Sequence, residues 1–460
     1  MISKNTVQDV LLCAMSGGAD FVELFGETTR KNRMRMLDGK IDTATDELIY
    51  GVGIRAVLGT RTIFATTADT SREGLFKCAR AVAEATGEAM RHDASVALKE
   101  RLFPNIHPAR IIPTSVTSLE RSDLLREGCL AAKEYDAAIM QVSGVLIGSD
   151  RSILVANTEG LYTTDRHVST RMAISSVASE GGVNQSGFEG PGGGMGLEFF
   201  ERVSPREIGR EASRSAMVNL RAGYCPAGQM TVAIENGFGG VIFHEACGHS
   251  LEATSVAVGA SQMCGRLGER IASEKVTAID DGTIPGAWGS VNIDDEGHPT
   301  QRNVLIENGI LKSYMIDRLG SRRMGLPMTG NGRRESYCYE ATSRMTNTYL
   351  ANGPDKNEDI IASMEYGLYC RKMGGGSVNP LTGDFNFAVA EGYLVRNGKI
   401  AEAVRGASLV GNGGEILQKI DMVGQNLERA QGMCGSSSGS VPTDVGQPLI
   451  RVSSITVGGR

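Results

Sequence analysis

Two periodicities alternate along the first 225 positions, and together they predict helices interleaved with antiparallel meanders. An amphipathic helix from Thr6 to Met15 stops at Gly17-Gly18. Strand-like segments FVELFGETTR, RMRMLDGKID, LIYGVGIRAVLG and RTIFATTAD follow, punctuated by turn signals at Asp38-Gly39 and Gly59-Thr60. A helix from about Ser71 to Met90, an irregular link carrying Pro104, Pro108 and Pro113, and a helix from about Ser118 to Tyr135 come next. A second strand set starts near Ala138 and repeats the order of helix then meander, so the N-terminal unit reads as two similar halves. EGGVNQSGFEGPGGGMG, residues 180–196, reads as a glycine-rich loop. A last helix, about Pro205 to Ala222, leads to a boundary near Pro226.

Beyond that boundary strands dominate. Asn308-Gly309 joins NVLI to ILKSYMI and Asn397-Gly398 joins GYLV to KIAEAV, both tight-hairpin signals because Asn-Gly accepts positive φ. The expected class is α+β: an N-terminal α+β domain at 1–225 and a C-terminal domain at 226–460. The second is mostly antiparallel sheet, barrel-like, with an active-site helix lying against it.

Length and composition narrow the function. A chain of 460 residues exceeds what one core usually supports, and 41% hydrophobic with 22% charged residues fits a globular protein. No apolar run reaches the ~20 residues that cross a bilayer, and the N-terminus lacks the pattern of a secretory signal, so a cytoplasmic, non-membrane protein is expected. A net charge of −6 and a pI near 5.7 argue against direct nucleic-acid binding. Arg30, Lys31, Arg33 and Arg35 read as a solvated strand face. Nine scattered cysteines suggest no disulfide framework but leave room for one to be a ligand.

The chemistry concentrates in FHEACGHSLEA, residues 243–253, where His244, Glu245 and His249 form an HExxxH pattern. Two imidazoles flanking a carboxylate supply two zinc ligands and a base. The histidines are five apart, so an ideal helix would hold them roughly 140° out of line. A single π-type turn, eased by Gly248, is expected to bring them to one side. Burying such a pair is costly unless a metal or hydrogen bonds satisfy the rings. Cys247 lies inside the motif and is a rival ligand, though it projects to another side of a helix.

Several long strings, among them HEACGH, DDGTIPGAWGSVNIDDEG, GNGRRESY, RMTNTYL, GGGSVNPLTGDFNFAVAEGYLV and VGQPLIRV, closely resemble the TldD/PmbA family, whose members are also described as modulators of DNA gyrase. The resemblance spans nearly the whole chain, and HExxxH places it with the metalloprotease branch rather than the PmbA (TldE) branch that lacks the motif. It implies a zinc (Zn²⁺) peptidase cutting unfolded or flexible peptides, in maturation of peptide antibiotics and turnover of small antitoxin-like proteins. It implies His244, His249 and Cys434 as metal ligands and Glu245 as general base. It also implies a partner: a PmbA/TldE-like subunit or a second copy. Unaided, a lone cysteine is more often buried filler. After Cys434-Gly435 the family's Cys-Gly-Lys-x-Gly-Gln gives way to CGSSSGSVPTDVGQP, which puts in doubt a role for that loop in substrate or partner contact.

A peptidase also needs stabilisation of the tetrahedral intermediate. His298, Tyr337 and the Arg333-Arg334 pair are candidates for transition-state or substrate contacts, each weighed against an exposed turn or a surface salt-bridge network. Asp294, Asp295 and Glu296 read either as an exposed acidic turn or as groups orienting a ligand histidine. Glycine-lined segments such as GGGSVNP, residues 374–380, suit an extended peptide added as a strand, which would require an unfolded substrate. The competing reading is a non-catalytic zinc-containing binding or assembly subunit.

Overall fold

A computed structural model describes residues 2–87, 95–379 and 381–459. Helix α1 (Lys4–Met15) is capped by the Ser3 side chain, and the hairpin of β1 (Phe21–Leu37) and β2 (Lys40–Leu58) turns at Asp38 and Gly39, with φ of 46° and 78°. The two predicted segments on the first arm are one unbroken strand. β3 (Arg61–Thr67) pairs with β2, and α2 (Arg72–Thr86) follows; the end expected for that helix, at Met90, lies outside the described residues. Beyond the short strand β4 (Lys99–Glu100), α3 (Ser118–Lys133) opens on a capping box between Thr117 and Glu120.

The second meander, β5 (Ile139–Asn157) and β6 (Leu161–Glu180), does not form a sheet of its own. β1 pairs antiparallel with β5 from Glu23↔Asn157 to Leu37↔Ser143, so both meanders merge into one eight-stranded sheet. The glycine-rich stretch expected as a loop is largely strand: β7 (Val183–Glu189) continues from β6 through a turn at Gly181-Gly182, and β8 (Gly192–Gly193) returns to it. Its glycines serve close approach to the following helix, α4 (Pro205–Arg221), since a Cβ on Gly187 would sit 2.1 Å from the Ala212 carbonyl.

Side-chain alternation explains how this sheet is used. Val22, Leu24, Val52 and Ile54 pack beneath α1 and α2, while Met34, Met36 and Leu146 pack beneath α3 and α4. The odd-numbered positions of β1, from Phe21 to Thr29, face away from the helices and meet the second half of the chain. Glu23 and Glu27 reach Arg334 and the Tyr337 backbone there.

That second half contains the expected barrel. Strands Tyr366–Val378, Gly228–Ile234, Ile450–Gly458, Ser408–Asn412 and Asp384–Arg396 pair in this order, and the last closes on the first. Beside it, a six-stranded sheet ends in a hairpin of strands Glu428–Ser436 and Gly439–Gln447, the cysteine hairpin, which carries Cys434. The two Asn-Gly turns adopt positive φ as anticipated, 48° and 82° at 308–309 and 49° and 73° at 397–398.

Candidate metal centre

The motif enters on helix α5 (Val241–Ala246), wedged between the barrel and the six-stranded sheet. Its approach is glycine-dependent: a Cβ on Gly240 would lie 2.4 Å from the Gly446 backbone nitrogen. The expected π-type turn is absent. Instead α5 ends where Cys247 N–H bonds Phe243 O at 3.0 Å, Cys247 turns to φ −130°, and residues 248–251 continue as a 3₁₀ turn. The break re-aims His249, and the two rings meet edge-to-face with centroids 5.1 Å apart. Gly248 is required for space, since a Cβ there would lie 2.4 Å from Met345 Sδ.

Cys434 arrives from the far end of the chain. Its Sγ lies 3.3 Å from His244 Nε2 and 3.4 Å from His249 Nε2, and the donor atoms of these three residues lie within 4.8 Å of one another. Arg344, fully buried, fixes the cysteine hairpin: its guanidinium bonds the Cys434 carbonyl, and it also reaches Ser438 Oγ and Gly439 O at 2.9 Å each. His249 Nδ1 sits 3.1 Å from Glu252 Oε2, and Glu245 Oε2 stands 3.7 Å from His249 Nε2 with about a quarter of its side chain exposed, 26%. His244 Nδ1 is buried without a hydrogen-bond partner among the described residues, so only one ring is braced.

The electrostatics favour an ionised sulfur. Burial opposes a thiolate, yet the His244 and His249 rings hold the Cys434 thiol down to about 4. Burial likewise opposes charge on His249, but Glu252 and Cys434 raise it well above the usual histidine value. Cys247 contrasts with this: burial pushes its thiol up to about 12, and it does not join the three donors.

The donor set fits zinc. Tetrahedral bonds of ~2.0–2.1 Å to nitrogen and ~2.3 Å to sulfur separate N from S by roughly 3.5 Å, close to the two separations found here. The Glu252–His249 contact has the geometry by which an outer carboxylate orients a ligand imidazole. Neither Glu252 nor Arg344 stood out in the sequence. Glu252 had a local signal, three residues beyond His249, whereas Arg344 is visible only as one residue of RMTNTYL.

The remaining candidates occupy other surroundings. His298 Nδ1 lies 2.9 Å from the Pro299 carbonyl, and burial lowers its pKa. Arg334 bonds Glu23 at 2.6 Å and covers the Phe25 ring. The Tyr337 ring fills the space over Gly51, and its N–H bonds Glu27 at 2.7 Å. Arg333 is buried and bonds the Met345 carbonyl at 2.6 Å. The run Asp294–Glu296 is not an exposed turn: Asp294 accepts three backbone N–H groups, Asp295 pairs with Arg151, and Glu296 pairs with Arg55.

Models of three consecutive domains match the chain: PmbA/TldA metallopeptidase domain 1 over residues 22–86, the central domain over 111–220 and the C-terminal domain over 227–459. The chain belongs to the PmbA/TldA metallopeptidase family. It is 37% identical to a Haemophilus influenzae protein named metalloprotease TldD homolog, across 100% of this chain and 97% of that protein. It is 32% identical to a metalloprotease of Methanothermobacter thermautotrophicus, across 98% of each. A zinc metalloprotease TldD homolog of Saccharolobus solfataricus is 31% identical over 63% of this chain and 65% of its own length.

Two solved structures share the fold. One, from Thermotoga maritima and described as a modulator of a DNA gyrase, superposes with a TM-score of 0.80 at 22% identity, covering 99% of this chain and 100% of that one. The other, TldE from Thermococcus kodakarensis, gives 0.76 at 20% identity over 99% and 100%. This PmbA/TldA chain is a metallopeptidase, and among the described residues no helix is long and apolar enough to cross a membrane.

Proposed function

We propose that the chain is a zinc-dependent peptidase acting on unfolded or flexible peptides, with His244, His249 and Cys434 holding the metal and Glu245 as general base. The observation that carries this reading is the convergence of two imidazoles and a thiol within 4.8 Å, beside a partly exposed carboxylate. Three protein donors leave a fourth tetrahedral position, the arrangement of catalytic rather than structural zinc sites. Bound zinc supplies Lewis acidity to a water and to the peptide carbonyl. Glu245 takes the proton of the attacking water and returns it to the departing amine. Glu252 holds the His249 ring in the orientation that presents Nε2, and Arg344 holds the strand that presents Cys434.

The same reading divides the chain near Pro226, into an N-terminal α+β domain at 1–225 and a C-terminal metallopeptidase domain at 226–460 that carries the centre. It places the protein in the cytoplasm, in peptide maturation and protein turnover, paired with a TldE-like subunit or a second copy. A Glu245→Gln variant tests it against a non-catalytic zinc-containing assembly protein. The variant is expected to keep its zinc and lose about 10²–10⁴-fold in hydrolysis of an unfolded casein substrate. Full hydrolysis by the zinc-loaded variant would overturn the mechanism.

A further inference from the structure

A cavity of about 430 Å³ lies between the odd-numbered face of the N-terminal sheet and the reverse side of the cysteine hairpin. Ile147 and Arg171 line it from the sheet, and Trp288, Arg333, Met433 and Pro442 from the C-terminal half. The hairpin links this space to the metal donors, because successive strand residues point to opposite faces. Cys434, 5% exposed, turns toward the histidines, while Met433, 51% exposed, turns into the cavity. Strand Glu428–Ser436 ends its sheet, so an extended peptide beside it would present alternate groups to the donors and to the cavity.

The wall carries both signs, with Glu47, Asp294 and Glu335 among its carboxylates, and its charges are unequally satisfied. Arg151 is neutralised by Glu27 at 3.2 Å and Asp295 at 3.0 Å. Arg333, only 5% exposed, spends Nη1 on the Met345 carbonyl, and no carboxylate among the described residues comes within ion-pair distance of it. Its Nε and Nη2 remain, the edge that grips a carboxylate through two parallel bonds. Arg171 bonds the Gly190 carbonyl at 3.0 Å and the Gln431 carbonyl at 3.4 Å, has no carboxylate among the described residues in ion-pair distance, and covers the Trp288 ring, 5.7 Å from its centroid. Burial, with the nearby Arg344 and Arg151 charges, outweighs Asp295 and Asp280 and draws the Arg333 guanidinium down to about 10.

Resting on the peptidase reading above, we propose that this cavity is a carboxylate-selecting subsite. Arg333, assisted by Arg171, takes a carboxylate of the peptide substrate, either its C-terminus or an Asp or Glu side chain. Trp288, the sole tryptophan of the chain, forms the wall beside it and reports on occupancy.

The test uses the full zinc-loaded chain and four unfolded peptides that differ only in an internal Glu or Gln and in a free or amidated C-terminus. Binding is followed by Trp288 fluorescence and hydrolysis by product release. The carboxylate-bearing peptide is expected to bind about 10-fold tighter than its neutral counterpart, the worth of a charge-assisted hydrogen bond. Whichever change removes the advantage, Gln or the amide, identifies the source. In Arg333→Met and in Arg171→Gln the advantage is expected to shrink to about 2-fold or less, with circular dichroism unchanged; should the first variant not fold, the second decides. Equal binding of all four peptides, or an advantage that survives the substitutions, would overturn the subsite. Zinc-dependent hydrolysis without carboxylate preference sinks the subsite alone, whereas binding with preference but no hydrolysis sinks the peptidase reading and leaves the subsite standing.

Discussion

The Arg55–Glu23–Arg334–Glu296 cluster and the His244–His249–Cys434 cluster are both largely buried, but only the first pairs opposite charges drawn from both halves of the chain. Glu23 lies between Arg55 at 3.1 Å and Arg334 at 2.6 Å, and Arg55 also holds Glu296. Burial opposes the charge on Glu23, yet the two guanidinium groups keep its carboxyl below the usual range. Every member faces an opposite charge from the other half of the chain, so the cluster acts as a clamp between the sheet and the C-terminal loops. At the candidate metal centre two rings and a sulfur converge on one point instead, the donor arrangement that a divalent cation takes. Opposite charges drawn from two halves hold a structure together, whereas metal-binding donors converging on one point mark where a cation can bind.

Breaking the clamp is expected to have the largest effect on stability. Arg55→Met would leave Glu296 as a buried carboxylate without its cation and Glu23 with Arg334 alone, and cost about 3–5 kcal/mol, measured by denaturant unfolding of the metal-free protein. An unchanged midpoint would show that the cluster is not a clamp.

A second set of contacts across the same halves predicts an acid limit. Burial raises the Glu391 carboxyl, but Arg214, Arg371 and Tyr393 outweigh it and hold the group down to about 2. A depressed carboxyl contributes stability that is fully present above its unfolded value near 4.5 and is lost as pH falls through its folded value. Stability on the order of 3 kcal/mol should therefore disappear between about pH 4.5 and 2. In Glu391→Gln the slope of unfolding free energy against pH should flatten in that window. A slope identical to that of the unaltered chain would contradict the assignment.

The smallest expected effect separates orientation from ligation at the metal centre. Glu252→Gln should keep the three donors and weaken zinc binding about 10–100-fold, read by competition with a chromogenic chelator. A loss as large as that of removing a ligand would make Glu252 a ligand itself.

Local signals in the sequence carried well into three dimensions. Asp38-Gly39, Asn308-Gly309 and Asn397-Gly398 each need positive φ within two residues, so their turns depend on nothing distant. The pairing of β1 with β5 was not legible, because two similar meanders can each close alone or join, and the choice rests on Glu23, Glu27 and Arg151 meeting loops near residue 334. Arg334 and Tyr337 follow the motif in sequence, yet they bind residues some 310 positions earlier, with Glu23 and Glu27 separated from them by 311 and 310. His244 and His249 were readable as a pair but not the backbone that unites them, since the break at Cys247 answers to Met345 packed beneath Gly248. Cys434 came from resemblance, because no local pattern distinguishes it among nine cysteines.

X-ray absorption at the zinc edge of the zinc-loaded chain tests the central claim most directly. Two nitrogen scatterers at about 2.0–2.1 Å and one sulfur at about 2.3 Å are expected, with the sulfur shell lost in Cys434→Ser. A spectrum without sulfur, or a sulfur shell that persists in that variant, would contradict the account.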